Sequence, residues 1–116
     1  MDISNSGWKQ LTWTELEMAE NARHEGNEGR ARVCARRAAG HVAGEYLQRQ
    51  GIALSTDSAL VKLRFLADYP KLTSGEVNLI QHFLIHTTPE HELPIEADLI
   101  AEVHLLAQQL LDESLD

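Results

Sequence analysis

From Glu28 to Gln50 the chain contains no proline, is rich in alanine and then meets Gly51; no other stretch restricts the fold as much. Alanine loses no side-chain entropy in a helix and is the best helix former, whereas a glycine just past the last turn supplies the left-handed residue that ends one. The segment therefore predicts one long helix. At about 100° per residue, its apolar arc holds Ala31, Cys34, Ala35, Ala38, Val42 and Tyr46. Most of these side chains are small and allow a neighbouring helix to approach closely, which predicts a central position for this helix.

The flanking segments also read as helices. Thr14 and Glu17 have the spacing of a capping box, and Trp13 and Met18 flank it as a hydrophobic staple. This predicts a first helix that starts there and ends near Gly26, with residues 1–12 as an N-terminal arm and 13–116 as one helical-bundle domain. Asp57 or Ser58 can cap a third helix running to about Tyr69, where Pro70 disfavours continuation. Leu60, Leu63, Leu66 and Ala67 form its main stripe, while Val61 and Phe65 lie one turn apart on a different face. Burying both faces needs a second apolar surface, so Val61 and Phe65 are the expected contacts of a homodimer, twofold pairing being the commonest solution. Thr73 and Glu76 repeat the capping-box spacing before Val77, Leu79, Ile80, Phe83 and Leu84, a fourth amphipathic helix expected to fray near residues 87–89. Pro94 suits the first turn of a fifth helix, in which Ile95, Leu99, Val103, Leu106 and Leu110 share one face. No segment alternates as a strand does, and the longest loop is expected around residues 87–93. The expected fold is all-α, an up-and-down bundle of four or five helices.

At 116 residues and 43% hydrophobic content, the chain can bury the core of one domain. It has no apolar stretch long enough to cross a bilayer, and its beginning, with neither a basic start nor an apolar run, leads us to expect a soluble, cytoplasmic, non-exported protein. A single cysteine, Cys34, can build neither an internal disulfide framework nor a zinc knuckle; within the apolar arc it reads as a small buried hydrophobe rather than a nucleophile. Charge is unevenly spread. Residues 1–56 carry seven basic and seven acidic groups, which cancel, and residues 57–116 carry three basic and eleven acidic groups, the whole of the net charge of −8. Such a half repels a polyanion, so general nucleic-acid binding is disfavoured, although a small phosphate site near the arginines is not.

The order Glu17-Met18-Ala19 to Gly26, then Ala31, Ala35-Arg36-Arg37-Ala38-Ala39, Tyr46-Leu47 and Gly51 resembles the HEPN family (higher eukaryotes and prokaryotes nucleotide-binding), with Arg36-Arg37 at that family's paired polar positions. The resemblance spans roughly residues 13–112. It implies a helical bundle, usually homodimeric, whose members range from RNA-cleaving toxins to nucleotide-binding or regulatory proteins, many paired with a nucleotidyltransferase-like partner. Two departures stand out. Gly40 and His41 occupy positions that are usually acidic and basic, and no arginine or lysine follows Lys71, so the late histidines lack the arginine of the RNA-cleaving branch.

Among candidate sites, Arg37 and His41 are four residues apart and share a helix face with Arg30 and Gln48. Guanidinium groups suit bidentate phosphate contact and His41 can titrate near neutrality, so Arg30, Arg37 and His41 form the phosphate-site candidate. The competing reading is a solvated face paired with nearby acids. Arg36 and His41 have the intervening spacing of a nuclease motif, but an offset of five residues turns their side chains about 140° apart on one helix. His82 and His86 are spaced like two metal ligands; Phe83 stands where a zinc-protease glutamate belongs, so they read as polar flanking residues and no metal or cofactor is expected. The expected function is a non-catalytic HEPN-like binding or regulatory protein, a partner of a nucleotidyltransferase-like protein or a binder of a nucleotide. The alternatives are a metal-independent ribonuclease using Arg37 and His41, and a structural bundle without a ligand.

Overall fold

The structure, a computed structural model, describes residues 3–85 and 97–115. Five helices follow one another, α1 (Ile3–His24), α2 (Glu28–Arg49), α3 (Ala59–Ala67), α4 (Ser74–Leu84) and α5 (Leu99–Leu111), with no strand among the described residues. The chain is an all-α helical bundle. Helix α2 packs against α1, α3 and α5, and α4 closes the far side between α3 and α5.

Small side chains give α2 this central place. Ala31, Cys34, Ala35, Ala38, Ala39, Val42 and Ala43 are all buried, and around them close Leu16, Leu63, Leu66, Ile80, Phe83, Val103 and Leu106. Phe83 and the leucines supply the bulk that the alanines leave open, the interdigitation that fills a core to crystal-like density. Among the described residues no helix is long and apolar enough to cross a membrane.

Helix ends follow the local chemistry of the sequence. Beyond α2, Gly51 adopts φ +78°; its N–H donates to the Gln48 carbonyl (3.0 Å) and that of Ile52 to the Leu47 carbonyl (2.9 Å). These two bonds are a Schellman motif, which folds Ile52 back towards Leu47. The same pair of bonds closes α1 at Gly26, after which the Asn27 side chain caps α2 by accepting from the Arg30 N–H. Ser58 caps α3, and Thr73 with Glu76 forms the complete capping box expected for α4.

Three boundaries differ from the sequence expectation. Helix α1 starts at Ile3, so residues 3–13 are helical and Thr14 caps nothing. The Thr12 and Thr14 hydroxyls donate to the Trp8 and Gln10 carbonyls four residues back, a use of hydroxyls inside a helix that the capping-box spacing does not exclude. Trp8, Thr12, Leu16 and Ala19, spaced by four, four and three, form the buried stripe that holds this extension. Helix α3 ends at Ala67, short of Tyr69. Helix α5 starts at Leu99 under an Asp98 cap rather than at Pro94; Pro94, Ile95 and the expected loop at 87–93 lie outside the described residues.

Helices α2 and α3 come closest at Gly40. A Cβ there would lie 2.7 Å from the Ala59 Cα, so the position has no room for a side chain. At Gly44, one turn on, a Cβ would meet only the flexible end of Lys62, at 3.3 Å. The two glycines should therefore respond differently to alanine. Gly40→Ala is expected to destabilise the protein by about 1–3 kcal/mol through overpacking, whereas Gly44→Ala should lie between neutral and about 1 kcal/mol stabilising, because alanine is the better helix former. Urea unfolding of both variants checks this, and equal effects would contradict the close crossing.

Candidate functional site

Below the Gly40–Ala59 crossing, a cleft opens between α1, α2 and the start of α3. Its polar end, a cavity of about 340 Å³, is lined by Glu15, Arg37, Gly40, His41, Asp57, Ser58, Ala59 and Lys62. A second cavity of about 460 Å³ adjoins it, walled by Trp8, Leu11, Leu47, Ile52 and Leu54 together with polar groups including Glu45 and Gln48. His41 and Lys62 line both. Each wall has a local origin. The Schellman turn after α2 brings Ile52 and Leu54 past Leu47, the extended α1 brings Trp8 and Leu11, and the close crossing lets Lys62 lie across Gly44.

Electrostatics separate the cations of the cleft from those of the scaffold. Arg23 pairs with Glu28 (2.7 Å) and Asp98 (3.1 Å), which hold its pKa above the usual guanidinium range. Arg49 pairs with Glu45 (2.8 Å) and reaches Glu113, which Lys9 also contacts (3.4 Å), so the α1, α2 and C-terminal segments are joined and the Glu45 charge in the cavity wall is matched. Arg36 turns inward and its Nε donates to the Phe83 carbonyl at the end of α4 (2.8 Å); burial lowers its pKa. A cation there complements the negative end of the helix. Among the described residues, neither Arg37 nor Lys62 joins an ion pair with a carboxylate, although Glu15 and Asp57 share their cavity.

The sequence candidates are thus divided. Arg37 and His41 line one cavity, whereas Arg30, seven residues before Arg37 and so about 10 Å away along the helix, is exposed and is not among its lining residues. Arg36 and His41 point to different neighbours. Lys62 was missed because it reaches the strip only through the tertiary crossing; Gly40 and Gly44, four residues apart on one face of α2, were the signal that another helix approaches there. His82 Nδ1 is engaged by the buried Glu102 of α5, and His86 lies outside the described residues. No cluster of three or more His, Cys, Asp or Glu side chains that could hold a metal occurs among the described residues, and Cys34 is buried. Val61 and Phe65 are 47% and 41% exposed, so a second apolar face on α3 is left uncovered among the described residues. Comparison with family models, curated proteins and solved structures gives no match for this chain.

Burial lowers the His41 pKa, as does the neighbouring Lys62 charge, while Glu15 opposes the shift. The folded state therefore binds a proton at His41 less readily than the unfolded state does, and stability falls as pH drops below the ordinary imidazole value of about 6.5 through the lower folded value. Glu113, held low chiefly by its bond to Arg49, titrates in a separate and more acidic range. In His41→Gln the loss of stability between about pH 7 and pH 5 should be shallower than in the parent. Thermal unfolding across that range checks it, and parallel curves would show that His41 does not contribute.

Proposed function

We propose that this chain is a non-catalytic binding protein, HEPN-like in its bundle, whose ligand is a small phosphate-bearing molecule of the nucleotide class seated at Arg37, His41 and Lys62. The observation that carries this reading is the convergence of the three groups in one cleft, with Arg37 and Lys62 free of carboxylate ion pairs among the described residues. Hydrogen bonds from charged donors are shorter and stronger than neutral ones, and within a cleft they are screened less than on an open face. The proposed partner surface is α3, where Val61 and Phe65 would meet a second copy or a nucleotidyltransferase-like protein.

One observation favours a second reading, a metal-independent ribonuclease. The lowered pKa of His41 keeps its imidazole neutral near pH 7, as a general base requires, and Arg37 stands in the same cavity. The acidic second half of the chain counts against an RNA substrate.

Calorimetry with a panel of nucleotides separates these possibilities. Arg37→Ala and Lys62→Ala should each cost about 1–3 kcal/mol of binding, the range for losing a hydrogen bond to a charged group, and the loss should shrink as salt rises. Arg30→Ala and Arg64→Ala remove the same charge from outside the cavity and should change little. Equal losses in all four variants would mean that only net charge matters, and no binding by the parent would contradict the proposal. Cleavage of single-stranded or structured RNA, abolished in His41→Ala, would establish the second reading instead.

A further inference from the structure

The polar cavity carries five titratable side chains, four of which cancel in charge. Arg37 of α2 and Lys62 of α3 are cations, whereas Glu15 of α1 and Asp57, in the connection before α3, are carboxylates. No ion pair joins any of these four among the described residues. With its imidazole neutral the cavity is balanced, so an anion entering it is drawn by Arg37 and Lys62 and opposed by Glu15 and Asp57. The fifth group, His41, decides the sign. Its protonation makes the cavity cationic, and imidazole is the side chain that titrates near neutral pH.

The packing places His41 where an anion would feel this change. It is partly buried, lines both cavities and sits beside the close crossing at Gly40, with Lys62 acting on it from α3 and Glu15 from α1. The other charged groups around it are Arg37, one turn back on α2, then Asp57 and Glu45, and the Glu45 charge is matched by Arg49. In the free protein, burial and the Lys62 charge disfavour the protonated ring. An anion seated between Arg37 and Lys62 offsets the Lys62 charge and accepts a hydrogen bond from the imidazolium, and charge-assisted bonds are the stronger kind. The coupling is reciprocal by thermodynamic necessity: whatever the anion adds to proton affinity, the proton adds to anion affinity.

We infer that anion binding in the polar cavity is coupled to protonation of His41, so that the site takes its ligand together with a proton and releases both as pH rises. This inference rests on the proposed phosphate site and names how that site is regulated. Affinity rises as pH falls through the pKa that His41 has in the occupied site, and it levels off below the lower pKa of the free protein.

Calorimetry with inorganic sulfate at constant ionic strength tests it, because the charge of sulfate is fixed over the range in which His41 titrates, whereas that of a phosphate is not. Sulfate should bind the parent about tenfold more tightly at about pH 5.5 than at about pH 8, the equivalent of one charge-assisted hydrogen bond. At about pH 6.5 the heat of binding should vary with the ionisation enthalpy of the buffer, as uptake of a proton requires. His41→Gln should keep the affinity that the parent shows at about pH 8 and hold it nearly constant down to about pH 5.5. Glu15→Gln leaves His41 in place and removes an opposing charge, so it should bind sulfate more tightly than the parent at the higher pH and still respond to pH. Equal sulfate affinity at both pH values, with no proton uptake, would overturn the inference while leaving the phosphate site standing. The same rise in His41→Gln as in the parent would overturn it by assigning the proton to another group. Failure of sulfate to bind at either pH would also overturn it, and the nucleotide panel then decides the phosphate site separately.

Discussion

The contact of α2 with α3 at Gly40 and Ala59 is the constraint on which the cleft depends. Because a side chain at Gly40 would run into the α3 backbone, the two helices can meet there only without a Cβ between them. One turn further along each helix, the geometry places Lys62 over Gly44 and beside His41. A wider crossing would withdraw Lys62 and leave the α2 strip with only its own groups. The tight packing of the core and the composition of the cleft therefore share one cause.

Around this crossing the charged groups have separate tasks. Arg23, Arg36 and Arg49 fasten helix ends and the C-terminal segment, and Trp13 adds a bond from its indole to the Leu115 carbonyl. Exposed ion pairs of this kind contribute little each, about 0–1 kcal/mol, but Arg36 satisfies a carbonyl at the end of α4 that has no partner within its own helix. The paired arginines of α2 thus diverge, Arg36 to the scaffold and Arg37 to the cleft. A functional reading of the pair as a unit would miss this.

What the sequence disclosed follows from range. The Thr73–Glu76 capping box, the Ser58 cap, the Gly51 stop and the buried positions Ala31, Cys34, Ala35, Ala38 and Val42 rest on spacing within a few residues, and each is present. The Thr14 box uses the same local pattern and misled, because a threonine whose hydroxyl bonds back to the preceding turn fits the interior of a helix as well as its start. Longer-range facts were not legible: the approach of Lys62, the engagement of His82 by Glu102 twenty positions later and the turn of Arg36 towards Phe83 all require the assembled bundle. Half of the candidate site, Arg37 and His41, lay on one helix and could be read from its face. The other half came from α1 and α3.

The most direct measurement is an amide chemical-shift titration of the intact chain with a nucleoside monophosphate. The account predicts progressive shifts at Arg37, Gly40, His41 and Lys62, with Arg30 and the Val61–Phe65 face unmoved. Shifts that follow the outer arginines of α2 from Arg30 onward, while Gly40 and Lys62 stay in place, would contradict it.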